Sequence, residues 1–286
     1  MHALREKLTA LLGEPPQRVQ VVRGGDVGRS WRVQVAGQDL FVKTYAENEA
    51  SEGVARRLAA EARGLAWLAE PEAIRLPEVR AVSESWLVLE WIEPGPASAA
   101  TEEALGRGLA ALHRAGAARF GLETGNFIGR LPQSNQASES WADFYATRRL
   151  QPLLARARAR GLLSSALERL AWQLLAVLPQ RVGPAEPPAR LHGDLWAGNW
   201  ICAANGSPVL IDPAVYGGHR EIDLAMMRLF GGFGERVFAA YAELHPLAAG
   251  CEERVPLYQL YPLLVHLNLF GVSYAGQVER VLRAYT

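Results

Sequence analysis

The hydrophobic period of this chain shifts near residue 93, and the shift constrains its architecture more than any other feature. Arg18 to Val22, Trp31 to Val35 and Leu40 to Tyr45 are short runs rich in β-branched and aromatic residues, with Gly24-Gly25 and Gly37 at the turns between them. Such runs fit a half-buried pleated surface and predict a three-stranded meander. An amphipathic helix over 3–12, closed by Gly13 and stopped by Pro15-Pro16, precedes it. From Glu52 to Leu68 apolar residues recur at helical spacing, and Val79 to Val82 and Trp86 to Ile92 return to strand character. Beyond Glu93-Pro94-Gly95-Pro96 the pattern is helical near 102–115, 139–160, 164–179, 221–230, 233–243, 256–271 and 274–285. One non-helical island interrupts this half: a loop from His192, then Trp200 to Cys202 and Val209 to Ile211 around a turn at Asn205-Gly206. The expected fold is α+β and two-lobed. Residues 1–92 form a small N-terminal antiparallel-sheet lobe with one key helix, and residues 93–286 a larger, mainly helical lobe.

Composition excludes several classes of function. Thirty basic and thirty acidic side chains cancel, so no global field attracts nucleic acid or an anionic membrane. Two cysteines, Cys202 and Cys251, are too few for a disulfide framework, and no run of apolar residues is long enough to span a bilayer. The opening MHALREKLTALLG carries Arg5, Glu6 and Lys7 and lacks the apolar core of a signal peptide, which predicts a cytoplasmic protein. Of the 30 basic residues only Lys7 and Lys43 are lysines, and of the 30 acidic residues only six are aspartates, three of them between 194 and 223. These rare choices mark candidates for specific chemistry.

The island supplies that chemistry. In His192 to Asn199 (HGDLWAGN), Asp194 and Asn199 stand five positions apart, and Asp212 follows 13 positions after Asn199. This is the order and spacing of a phosphoryl-transfer loop. A carboxylate is needed to accept the proton of an attacking hydroxyl, which makes Asp194 the candidate catalytic base. An amide oxygen and a second carboxylate are needed for Mg²⁺, which makes Asn199 and Asp212 the candidate metal ligands. Asp212 ends the apolar run Val209-Leu210-Ile211, so a strand would deliver it to the cleft.

Phosphates also require a cation. Lys43 lies in the third predicted strand with Val42 on the opposite face, and Glu61 is the best-placed helical partner, ahead of Glu52. Between the first two strands, Gly24 and Gly25 open a loop (RGGDVGRS) whose amides could approach ATP phosphates, although a plain hairpin turn reads equally well. Asp26 in that loop is expected to point outward. Glu90, Trp91 and Ile92, at the connection between the lobes, are expected to border adenine.

The HGDLWAGN loop resembles that of the fructosamine kinase (ketosamine-3-kinase) family, within the protein-kinase-like group that includes aminoglycoside phosphotransferases and choline kinases. The likeness extends in order through Gly24-Gly25 with Lys43, Glu61 to Leu65, Asn126 to Gly129, Pro132 to Asn135, Trp141 to Leu150, Ile211 to Ala214, Tyr216 to Leu224 and Leu257 to Phe270. It implies transfer of the ATP γ-phosphate to the 3-hydroxyl of a ketosamine, the adduct of glucose or ribose with an amine. The labile product would decompose and release the amine, a deglycation repair. The resemblance assigns Asp194 as base, Asn199 and Asp212 to Mg²⁺, Lys43 with Glu61 to the phosphates and Glu90 to Ile92 to adenine. Some relatives carry a redox-responsive cysteine in the glycine loop, and this chain has none there.

Recognition of a sugar combines an aromatic platform with fixed polar groups. Trp196, His219 and Arg220, close in sequence to Asp194 or Asp212, are the candidates, while Asp223, His266 and Asn268 read as structural. The expected partner is a small or protein-bound ketosamine, bound by a monomer or weak homodimer without nucleic acid or membrane. Two other readings stay open: a kinase of aminoglycosides or amino alcohols, and a nucleotide-binding pseudokinase scaffold. The second predicts loss of a catalytic group, whereas Lys43, Asp194, Asn199 and Asp212 are all present.

Overall fold

A computed structural model describes residues 2–22, 28–45 and 51–286. Helix α1 (His2–Leu12) leads into β1 (Arg18–Val22), β2 (Gly28–Val35) and β3 (Gln38–Tyr45), followed by α2 (Ser51–Ala69), β4 (Val79–Val82) and β5 (Leu87–Glu90). The strands make one antiparallel sheet in the order β1-β2-β3-β5-β4. Strand alternation gives the sheet two apolar faces. Leu40 and Val42 face Leu8 of α1 together with Trp31, Val33 and Val88, whereas Phe41 packs with Val54, Leu58, Leu65, Leu87 and Leu89 beside α2. Lys43 shares the parity of Phe41, so its position on the α2 face is fixed by the pleat.

The remainder is mainly helical. Helix α3 (Ala99–Ala115) opens with a capping box, in which the Ser98 side chain accepts from the Thr101 amide and Thr101 returns a bond to the Ser98 amide. A hairpin of β6 (Asn126–Ile128) and β7 (Leu131–Gln133) precedes a continuous helical run from α4 (Trp141–Phe144) to α5 (Gln151–Ala159). Between them Tyr145–Leu150 form a π-helical turn, in which the Gln151 amide bonds the Ala146 carbonyl. Then come α6 (Ser165–Arg181), β8 (Ala189–Leu191), β9 (Trp200–Cys202), β10 (Pro208–Leu210), β11 (Tyr216–Gly218), α7 (Glu221–Leu229), α8 (Glu235–Leu244), α9 (Cys251–Phe270) and α10 (Ala275–Tyr285).

Helix α9 begins five residues before the expected start at 256, because Pro256 lies inside it. The backbone tolerates this through Tyr285, whose hydroxyl donates to the Glu253 carbonyl and accepts the Leu257 amide at 3.2 Å. A side-chain hydroxyl thus replaces a helical hydrogen bond. The main core gathers α4 to α6, α9 and α10, while a second cluster joins Leu68 and Ile74 to Leu105, Leu195, Leu210 and Leu224. This second cluster ties the sheet region to the loop carrying Asp194. No described helix is long and apolar enough to cross a membrane.

Candidate active site

On the sheet side, Lys43 is bracketed by two carboxylates. Its Nζ donates to Glu61 Oε1 and Oε2 at 3.1 and 3.0 Å and to Asp212 Oδ1 at 2.7 Å. Burial opposes the Lys43 charge, but Asp212 and then Glu61 overcome it and hold the ammonium well above its usual range. Asp212 keeps its charge: Lys43 outweighs the cost of burial and lowers its pKa. Burial, with Asp212 nearby and against the pull of Lys43, raises Glu61 to about 8. Asp212 also adopts φ 51°, a left-handed conformation unusual for a side chain without a glycine's freedom.

The loop before Asp194 is fixed from below. Asp223 accepts the amides of His192 at 2.8 Å and Gly193 at 2.9 Å, and His113 Nε2 lies 3.3 Å from the same carboxylate. His192 Nε2–H donates to the Ile211 carbonyl at 2.9 Å, while its Nδ1 accepts the Asp194 amide at 3.3 Å. That pairing is the neutral imidazole, in keeping with a pKa lowered chiefly by burial. Gly193 has φ 82°, and a Cβ there would lie 2.2 Å from the Ala214 carbonyl, so only glycine lets the loop pass. Asn199 Nδ2 donates to the Asp194 carbonyl at 2.8 Å and to its Oδ2 at 3.2 Å. Burial, reinforced by the charge of Asp212, lifts the Asp194 carboxyl to about 7.

Lys43, Glu61, Asp194, Asn199 and Asp212 converge on one cleft of about 730 Å³, lined also by Glu90, Trp91, Ile92 and Trp196. Glu90 is held by Arg75 at 2.6 Å, and the Trp91 indole donates to Glu93 at 3.0 Å beneath the Arg32 guanidinium. Ile92 packs with Ala203 and Val209. The Trp196 ring lies over Gly198, where a Cβ would meet it at 2.2 Å, and remains 38% exposed. Gly24, Gly25 and Asp26 lie outside the described residues.

Two expected sugar contacts are corrected by their positions. Arg220 is buried, forks onto Glu186 at 2.7 and 2.8 Å, and donates to the His245 and Pro246 carbonyls. His219 is buried against Tyr258 and accepts the Glu221 amide at 3.3 Å. Neither lines the cleft. Closeness in sequence misled here, because β11 and the start of α7 direct both side chains toward the Glu186 segment.

A sequence model of the fructosamine kinase family matches residues 1–286. The chain belongs to this family. A probable ketoamine kinase of Synechocystis sp. is 38% identical, covering 98% of this chain and 95% of its own. The crystal structure of a candidate fructosamine-3-kinase from Thermobifida fusca superposes with TM-score 0.92 at 39% identity, covering 100% of this chain and 99% of the other. An aminoglycoside phosphotransferase in ternary complex with ADP and hygromycin B is 16% identical, with TM-score 0.66, covering 99% of this chain and 98% of the other. That likeness is one of fold, the protein-kinase-like arrangement.

Within this fructosamine kinase-family chain, a polar cluster runs from Asn126 on the cleft wall into the protein beneath it. Asn126 Nδ2 donates to the Val215 carbonyl at 2.8 Å, and Gln133 Nε2 donates to the Ala214 carbonyl at 3.1 Å. Asn135 bonds Asn126 Oδ1 at 3.1 Å and is itself held by Arg149 at 2.7 Å. Arg149 is buried against the rings of Phe144 and Tyr216, which stack on each other beside it. The cluster fixes the backbone just after Asp212. Its only sequence signal was a set of amides and one arginine in the stretches that resemble the family. Asn268 is buried and donates to two carbonyls as expected, but His266, also read as structural, lines the cleft.

Proposed function

We propose that this chain transfers the γ-phosphoryl group of ATP to the 3-hydroxyl of ketosamines, a deglycation repair activity. The carrying observation is the convergence of Lys43, Glu61, Asp194, Asn199 and Asp212 on one cleft in a chain of the fructosamine kinase family. The names of its relatives, ketoamine kinase and fructosamine-3-kinase, support the acceptor class, and the ADP bound by a neighbour of the same fold supports the nucleotide.

In this reading Asp194 accepts the proton of the attacking hydroxyl, and its carboxyl near 7 suits that exchange. Lys43, oriented by Glu61, contacts the phosphates, and the backbone of Glu90 to Ile92 borders adenine. Mg²⁺ fits the donors present. The Asn199 amide nitrogen is committed to Asp194, which turns its oxygen the other way, and Asp212 supplies a charged oxygen. Such a hard, sparse set suits Mg²⁺ shared with phosphate oxygens. The bound ion would offset phosphate charge during transfer. Trp196 is the proposed platform for the sugar. Residues 1–92 and 93–286 act as nucleotide and acceptor lobes, and the proposed setting is the cytoplasm.

ATP consumption with fructoselysine, ribuloselysine, choline and kanamycin tests the proposal. Turnover with the ketosamines, abolished by Asp194→Ala while nucleotide binding persists, is the expected result. Turnover with choline or kanamycin alone would replace the ketosamine reading by the aminoglycoside and amino-alcohol one.

A further inference from the structure

Part of the cleft has no role in the proposed transfer. Phe230, beyond the end of α7, and His266 and Phe270, on the last turns of α9, line it from the helical half. Their rings touch in series: the centroids of Phe230 and His266 are 4.8 Å apart, and those of His266 and Phe270 are 5.3 Å apart. Tyr274 backs the pair, 5.1 Å from His266. The His266 ring is held in place, its Nδ1–H donating to the Pro262 carbonyl at 2.8 Å. Yet Phe230 is 43% and Phe270 50% exposed, so the wall reaches solvent. An exposed aromatic wall continuous with a polar reaction site marks a ligand surface.

The charges in the cleft show what this wall does not bind. Among the described residues, the lining carboxylates are Glu61, Glu90, Asp194 and Asp212; Glu61 and Asp212 are paired with Lys43, and Glu90 with Arg75. The lining cations Lys43 and Arg57 belong to β3 and α2. No described Asp, Glu, Lys or Arg of α7 or α9 lines the cleft, so the wall offers ring faces and apolar area.

We propose that Phe230, His266 and Phe270 form the subsite for the amine-bearing end of the ketosamine, selecting substrates by the apolar bulk on the nitrogen. This rests on the ketosamine reading above. The nitrogen sits on C1, two carbons from C3, so a 3-hydroxyl held at Asp194 leaves the nitrogen substituent within the same cleft. The secondary ammonium itself gains from an aromatic face, by about 0.5–2 kcal/mol. Because the wall runs out to solvent, a large substituent can follow it without being enclosed.

The test compares fructose adducts of benzylamine and methylamine, with saturating ATP, on the full chain. Wild type is expected to favour the benzylamine adduct about 10-fold in kcat/KM, the scale of packing one extra aromatic ring against the wall. Phe230→Ala and Phe270→Ala should bring the ratio near one with KM for ATP unmoved, and Phe270→Trp should keep it. Equal use of both adducts by wild type, or a ratio that survives both alanine variants, would overturn the subsite while leaving ketosamine phosphorylation standing. Turnover of neither adduct would overturn both.

Discussion

Asp223 Oδ1 lies 2.9 Å from the amide nitrogen of Gly193, and its other oxygen takes the neighbouring amide of His192. A carboxylate that is 1% exposed thus sets the path of the loop carrying Asp194. Asp223→Ala would bury two amides without partners, at a cost of about 2–5 kcal/mol in stability. Denaturant unfolding should show a lower midpoint together with loss of turnover, and a variant of wild-type stability would remove this role.

Lys43 carries the phosphate contact in the proposed mechanism. Replacing it by methionine keeps the stem and deletes the charge, leaving Glu61 and Asp212 to face each other. We expect kcat to fall by about 100- to 1000-fold, the usual scale for losing a preorganised charge at a reacting group. Lys43→Arg should rescue little, since a planar fork does not replace a point charge between two carboxylates. Steady-state kinetics with ATP varied provide the measurement.

Gly198 keeps the Trp196 ring in its place. Gly198→Ala would put a methyl where the indole lies and push the ring away. The expected outcome is a rise in KM for the ketosamine with KM for ATP within about twofold, since only uniform binding of the acceptor is lost. A changed KM for ATP alone would show that Trp196 serves the nucleotide.

Arg220 tests the corrected assignment. Arg220→Met leaves Glu186 without its partner at a half-buried site and should cost roughly 3 kcal/mol of stability. KM for the ketosamine, measured below the melting transition, should stay at the wild-type value. An acceptor KM raised 10-fold at unchanged stability would restore Arg220 to the binding site.

Besides His192, two further histidines with lowered pKa, His219 and His245, give stability a dependence on pH. Burial lowers the pKa of His219, and burial with the charge of Arg220 lowers His245 to about 4. Unfolded, both would take up protons around 6.5. The unfolded chain therefore binds more protons below that value, and the stability present above pH 6.5 drains away as the pH falls toward 4. Glu186, which Arg220 keeps below its usual range despite burial, adds to the loss at lower pH. The raised carboxyls of Asp194 and Glu61 work the other way over the same window, so the histidine contribution is read as a difference: from pH 7 to 5 the melting temperature of His245→Gln should lose less, or gain more, than that of wild type.

Much of the Lys43 side of the cleft was legible because local periods determine it. The two-residue repeat of β3 put Lys43 on the face opposite Val42, and the helical repeat of α2 brought Glu61 to the same face. The phosphoryl-transfer loop was legible through spacing, since Asp194 and Asn199 meet across one short turn. The acceptor side was not. Strands of three residues such as β6, β8 and β11 carry no readable period, and Tyr216–Gly218 pairs with Ala189–Leu191 far back in the chain. Residues near Asp212 in sequence could therefore face into the cleft or under it, and His219 and Arg220 took the second course. Phe230 and Phe270 fall within helical segments of the pattern, where exposure on a cleft wall leaves no mark.

The π-helical turn at Tyr145–Leu150 makes the length of this segment matter as much as its composition. One residue corresponds to about 100° of rotation in an α-helix. Deleting a single residue there would restore ordinary winding, yet it would swing Arg149 away from Phe144 and Tyr216 and uncouple α4 from α5 in phase. The segment tolerates exchange of side chains more readily than a change in count, and insertions or deletions among homologues should avoid it.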